Sequence, residues 1–290
     1  MHPSALVVWL AALPSILSWR AQSPARWRGT RGVALLGEQD VTEPAVARLF
    51  AEEMLREAHD FWAAPRDAGW VALDERPGLT VESIGVDEGP FAADGLLLMR
   101  AAATVRVAGA HAGGDWGARA RTADAIFELL TSPRGYEIID PLTEPDGHAA
   151  PLARVPGWRW PHGRLEVARA VTPSLPGLLA PREFCVLNAI DIHSRTFSSK
   201  SVRHASMPRE EGPAAPVRFG VARAPGARRA INTFALRVSP ADAGAHLEML
   251  NYIDLQSHPA VSNTFCALFF RGVLIRLERQ MRRDPLSLLV

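Results

Sequence analysis

Nine histidines and two cysteines are the first side chains to question for chemistry. His193, His204 and His258 fall near the ends of strand-like segments, where three imidazoles could converge on a metal. No carboxylate spacing accompanies them, so no metal site is expected. Cys185 and Cys266 lie inside apolar runs, where a thiol acts as a small core residue unless a histidine reaches it. The spacings that announce hydrolases, zinc proteases, P-loops or redox dithiols are missing. Gly109–Gly117 (GAHAGGDWG) is glycine-rich but lacks a dinucleotide fingerprint and reads as a hairpin loop. Tyr136–Pro141 (YEIIDP) and the Asp191–His193 pair read as strand ends. The expectation is a chain with no catalytic residues and no cofactor.

Chemistry of another kind shows in Arg182–Ile192 (REFCVLNAIDI). Residues alternate across a strand, so Phe184, Val186, Asn188, Ile190 and Ile192 share one face. Glu183, Cys185, Leu187, Ala189 and Asp191 share the other. An apolar face with one amide at its centre can be plain core. It can equally be the wall of a ligand tunnel, where a few polar groups orient an apolar guest.

The surrounding elements must position that face. The chain has 290 residues, 48% hydrophobic and 22% charged, enough to bury a sizeable core. Its 32 basic and 31 acidic residues leave a net charge of +1, which does not suit an electrostatic nucleic-acid binder. Two cysteines exclude a disulfide-stapled scaffold. Lys200 is the lone lysine, and the arginine excess fits a coding bias rather than a basic patch.

Residues 1–40 are set apart as a leader. Met1–Gly37 lacks Asp and Glu, Ala5–Leu17 is nearly continuous apolar sequence, and arginines follow. Thirteen residues make about 20 Å of helix, short of a bilayer core of roughly 30 Å. A signal peptide, a transit peptide, a membrane anchor and a disordered leader all stay open, and so does a cytoplasmic or organellar location.

Beyond the leader, Thr42 is placed to cap a helix over Glu43–Trp62. Strands are expected at Trp70–Leu73, Leu79–Val86 and Leu96–Val107, and a helix at Ala118–Leu130. Further strands are expected at Leu165–Thr172, Glu183–Ile192, Ser201–Met207, Val217–Ala222, Ile231–Val238 and Leu247–Asp254. Short polar turns between them imply antiparallel neighbours. The last helix, Pro259–Arg283, carries Val261, Phe265, Leu268, Phe269, Gly272 and Ile275 on one side, and Phe270, Leu274, Leu277 and Met281 on the other. Two apolar sides predict a sandwiched helix. This order defines one α+β domain over residues 41–284, with a tail at 285–290.

Four segments, in order, resemble the START family of lipid-binding and lipid-transfer domains. Ala180–Asn188 (APREFCVLN) is similar to the family's Pro-Arg-acid-Phe strand. His204–Pro208 (HASMP) with Gly212 and Val217–Arg218 resembles its His-x-x-Met-Pro stretch. Leu250–Pro259 (LNYIDLQSHP) with Asn263 resembles its junction into the last helix, and Ala123–Leu130 followed by Ile139–Asp140 resembles the helix before its Trp-Asp pair. Ser257 and Ile139 depart from that pattern.

The resemblance implies a helix-grip fold: a curved antiparallel sheet wrapped around a long C-terminal helix, enclosing a tunnel for one lipid. It implies a non-catalytic, monomeric carrier or sensor with transient membrane contact and no nucleic-acid partner. The ligand would be a phospholipid, sterol or sphingolipid. The expected wall is Phe184, Val186, Asn188, Ile190, Ile192, Phe265, Leu268, Phe269 and Gly272. Arg169 and Asn188 stand where sterol-binding members keep an acid–arginine pair, and Arg169 could face tunnel or solvent. A helix-grip aromatase/cyclase-type enzyme and a ligand-free interaction module are the rival readings.

Overall fold

The computed structural model describes residues 26–27, 39–63, 70–76, 78–86, 96–107, 116–132, 135, 150–159, 161–172, 180–205, 207, 227–242, 244–257 and 259–283. The apolar leader core at Ala5–Leu17 and the expected strand at Val217–Ala222 lie outside the described residues.

Apolar residues at helical spacing, Ala47, Phe50, Ala51, Met54, Leu55, Ala58 and Phe61, form the buried stripe of α1 (Pro44–Ala63). Thr42 does not use its hydroxyl on that helix as expected. Its Oγ1 accepts the Ala205 amide at 3.0 Å and so ties the helix start to the end of a distant strand.

The strands are β1 (Arg26–Trp27), β2 (Gln39–Asp40), β3 (Val71–Arg76), β4 (Leu79–Val86), β5 (Leu97–Arg106), β6 (Ala150–Arg154), β7 (Gly163–Thr172), β8 (Arg182–Asp191), β9 (Thr196–Arg203), β10 (Arg228–Arg229), β11 (Ile231–Ala241) and β12 (Gly244–Asp254). Two helices complete the described chain, α2 (Trp116–Thr131) and α3 (Pro259–Arg283). The last agrees at both ends with the sequence expectation. β9 begins at Thr196 rather than Ser201. Asp191 makes the earlier start possible: its carboxylate accepts the His193 amide at 3.1 Å and the Ser194 hydroxyl at 2.8 Å, closing a tight turn over 192–195.

The main path of the sheet runs β1-β4-β5-β12-β11-β9-β8-β7-β6. From β4 to β6 every pairing along it is antiparallel. The closing hairpin β11–β12 therefore sits between β5 and β9 and joins the first strands to the rest. Its turn needs glycine: Gly244 has φ +155°, and a Cβ there would lie 1.9 Å from the Val105 carbonyl oxygen. Part of the segment set aside as leader joins the sheet, with β1 parallel to β4 and β2 parallel to β9.

Alternation gives the sheet two buried faces. On the outer face, α1 covers Leu165, Val167, Cys185, Leu187, Ala189 and Val202, and further along Ile84, Leu98, Leu250 and Tyr252. On the inner face, α2 and α3 pack against Met99, Ala101, Phe184, Val186, Ile190, Phe197, Phe234, Leu236, Met249 and Ile253. The architecture is an antiparallel sheet gripping a long C-terminal helix.

Candidate functional site: the inner face of the sheet beneath the C-terminal helix

Every residue of β8 is buried, so this strand has no solvent side to mark its orientation. The partition of its neighbours supplies it. Phe184, Val186 and Ile190 belong to the inner core, and Cys185, Leu187 and Ala189 to the outer one. Asn188 therefore projects inward, and it is 1% exposed.

Cross-strand register extends that position into a row. Glu166 pairs with Asn188, and Asn188 with Ser199. Ser199 pairs with Phe234, Phe234 with Asn251, Asn251 with Met99, and Met99 with Ser83. Directly opposed residues share a face, so five polar side chains, Glu166, Asn188, Ser199, Asn251 and Ser83, cross the inner face in one line. Phe234 and Met99 interrupt it. All but Glu166 are buried. The adjacent row on one side is apolar, running Ile190, Phe197, Leu236, Met249, Ala101 and Val81.

Asn251 leaves an unmatched acceptor in this band. It is 2% exposed, and its Oδ1 accepts no hydrogen bond among the described residues. An acceptor buried in that way costs about 1–3 kcal/mol. Across the band, Phe197, Phe234, Phe269 and Phe270 form a chain of edge-to-face aromatic contacts with centroids 5.4–6.1 Å apart. This chain links the sheet to α3.

The expected wall residues are distributed unevenly. Phe184, Val186, Asn188, Ile190, Phe265 and Phe269 share the inner face or the helix side packed on it. Leu268 and Gly272 are half-buried on the flank of α3. Ile192 is not on the wall: β8 ends at Asp191, and Ile192 enters the turn, 44% exposed. The two-sided helix is corrected at Ile275, while Phe265 of the same set is buried and Val261 and Phe269 pack on the core. One stripe, Cys266, Phe270, Val273, Leu277 and Met281, is buried, whereas Ile275 is 49% exposed.

Arg169 is corrected as well. It pairs in register with Cys185, which places it on the outer face, and its Nε donates to Glu183 Oε1 at 2.6 Å. The acid opposite Asn188 is Glu166, three residues earlier. The sequence signal for Glu166 was a carboxylate flanked by Leu165 and Val167 in an apolar strand. Ser199 and Asn251 left no such signal, since only register aligns them with Asn188.

Both ends of α3's entry are pinned. Arg182, buried on the inner side at the start of β8, donates from Nε to the Leu255 carbonyl and from Nη1 to the Ala180 carbonyl at 2.9 Å. Burial lowers its pKa from the ordinary arginine value. Ser262 accepts the Leu255 amide at 3.2 Å, and Asn263 accepts the Leu97 amide at 3.0 Å. The junction thus holds β5, β8 and β12 to the first turn of the helix.

Charges elsewhere belong to the frame. Lys200, 2% exposed, reaches Glu57 of α1 at 3.3 Å beneath the outer helix. Burial pulls the Lys200 pKa down and pushes that of Glu57 up. Burial also raises the Cys266 thiol far above its usual range. His193 stacks near His162, with centroids 6.2 Å apart, while His204 lies beside Asp40. No cluster of three or more metal-capable side chains occurs among the described residues.

This geometry defines a START-like, helix-grip fold. The chain is similar to human STARD10, with a TM-score of 0.53, 13% identity, and coverage of 80% of this chain and 79% of that one. It also aligns with the lipid transfer and protein localization domain of human StarD13 (TM-score 0.44, 16% identity, 79% and 94% covered). A third alignment is with the Zhui aromatase/cyclase of Streptomyces (TM-score 0.35, 14% identity, 63% and 95% covered). No family model matches the chain, and no curated protein matches it in sequence.

Proposed function

We propose that the protein binds a single lipid between the inner face of β8, β9 and β11 and the N-terminal half of α3, for transfer or sensing at membranes. The observation that carries this reading is the inner face itself: an apolar wall crossed by a buried polar band under a long helix. Residual accessibility supports it. Phe184, Val186, Ser199 and Ile253 each keep 6% exposure and Phe265 keeps 5%, whereas the outer-face residues Cys185, Leu187 and Ala189 are fully covered. These five lie on the inner face of the sheet or on the side of α3 packed against it.

Sequestering acyl or ring surface there stabilises the complex by about 25 cal/mol per Å², before the entropic cost of association. Entry requires the helix or its neighbouring loops to move. The buried part of the band, Asn188, Ser199, Asn251 and Ser83, supports a non-catalytic role. Amides and hydroxyls can orient a guest but are weak acids and bases. The aromatase/cyclase alternative would need a titratable pair in the buried part of the band, whereas Glu166 and Arg154 stand at its outer end.

Native mass spectrometry of the purified protein tests the proposal. A co-purifying lipid, exchangeable for a labelled one from vesicles, is expected. A folded protein that carries no lipid and extracts none from vesicles of mixed composition would overturn it.

A further inference from the structure

We propose that the apolar segment Ala5–Leu17 tethers this protein to a lipid bilayer carrying anionic headgroups, and that the end of the sheet where α3 begins faces that bilayer. The inference concerns where the domain sits, and it stands whether or not the inner face holds a lipid.

The attachment points carry the argument. Arg26 pairs with Gly85 and Trp27 with Val86, so the chain that follows the apolar segment is built into the end of β4. Gly85 pairs in turn with Leu97 of β5, whose amide donates to Asn263 near the start of α3 at 3.0 Å. The same chain is fastened again at the end of β9. There Gln39 pairs with Val202, and the Val41 amide donates to the Arg203 carbonyl at 2.9 Å. Val41 itself is 1% exposed. Both fastenings lie at the end of the sheet from which β12 passes into α3. A leader cut away downstream of Trp27 would take a strand of the sheet with it.

Reach sets the orientation. Residues 18–25 join the apolar segment to Arg26 and cover about 30 Å at full stretch. β11 and β12, 11 residues each, are themselves about 35 Å long. The β11–β12 turn, at the opposite end, therefore meets the surface only with the linker drawn out completely. The α3 end meets it with slack to spare.

Composition names the partner. Thirteen residues make about 20 Å of helix, so the segment would enter one leaflet rather than cross the bilayer. Trp19 and Arg20 follow it directly, residue types that settle at headgroup level, and no Asp or Glu occurs before Glu38. On the fold, Arg203 and Arg228 are exposed at the α3 end and Arg229 is half-buried there, with Asp40 the register partner of Arg203. Arginines on both the tether and this end match an anionic surface.

The first test is sedimentation of full-length protein with vesicles of phosphatidylcholine and phosphatidylglycerol, against the variant Val8→Asp/Leu13→Asp. The unchanged protein is expected to bind about ten-fold more tightly than the variant, at equal melting temperature, and several-fold more tightly than it binds phosphatidylcholine alone. The second places a fluorophore on Arg228→Cys or Ile192→Cys, since Cys185 and Cys266 are buried. A doxyl-labelled lipid in the vesicle is expected to quench position 228 and to spare position 192. Equal sedimentation of protein and variant overturns the tether, and equal binding to phosphatidylcholine alone overturns the anionic partner. Quenching at 192 that matches or exceeds that at 228 overturns the orientation. Cleavage between Ala5 and Arg26 in protein taken from its own cells, read by mass spectrometry of the N-terminal peptide, overturns the whole proposal.

Discussion

Asn188 and Lys200 show how one strand position decides what a polar side chain is for. They lie on neighbouring strands of the same sheet and are both almost fully covered. Asn188 points inward, to the polar band of the proposed site. Lys200 points outward and meets Glu57 under α1, with its ammonium 5.3 Å from the Phe50 ring centroid. Burial opposes both charges of that pair, so its worth lies in each member compensating the other. Lys200→Met is expected to destabilise the protein by about 3 kcal/mol, since it leaves the Glu57 carboxylate facing an apolar neighbour. Lys200→Met combined with Glu57→Leu should recover most of that loss. Urea unfolding of the three proteins measures it, and a double variant as unstable as the single one would show that the pair does more than neutralise itself.

At the scale of elements, α3 is held by its base and by one stripe. The stripe is ordinary helix–sheet packing of Phe270, Val273, Leu277 and Met281. The base is a polar clasp through Arg182, Ser262 and Asn263, which joins three strands to the helix start. The clasp and the stripe are separate attachments, polar at the helix start and apolar along its length, so each can be weakened without the other. Arg182→Ala is expected to cost about 2 kcal/mol, in line with hydrogen bonds made by a charged donor. It should also speed amide exchange at residues 255–263 more than along β11. Equal acceleration in both segments would mean that Arg182 supports the whole sheet rather than the clasp.

The whole molecule has a stability that depends on acid. Burial lowers the pKa values of His59 and His204 below the ordinary histidine value of about 6.5. The unfolded chain therefore takes up protons at a higher pH than the native one. Stability is fully present above about pH 6.5 and falls as the pH drops through and below it. Glu57, raised by burial, acts in the opposite sense. The discriminating comparison is wild type against His59→Gln/His204→Gln, measured by denaturant unfolding between pH 7.5 and 5.5. The double variant should lose less stability over that interval, and parallel curves would show that other groups set the acid dependence.

Periodicity alone located most of the architecture. The helix spacing of α1 and α2, the bounds of α3 and the two-residue alternation of β7, β8, β11 and β12 are local signals, carried by side chains that must each find a buried face. Inward placement of Asn188 with Phe184 and Val186 is also local, because alternation along a strand is fixed by backbone geometry. The start of β9 was missed because it depends on the Asp191 turn, a side-chain-to-backbone hydrogen bond that hydropathy does not report. Ile192 and Ile275 were assigned inward because they follow the same periods, but the strand ends one residue before Ile192, and α3 turns its Ile275 side to solvent. Arg169 was matched by counting along the chain, whereas sheet partners are set by register. Antiparallel pairing places Glu166 and Ser199 beside Asn188, and Asn251 three strands further along the same row, although they lie 22, 11 and 63 residues away in sequence. A chain can dictate which face each residue takes, but which residues meet on that face depends on how the strands slide past one another, and folding alone decides that.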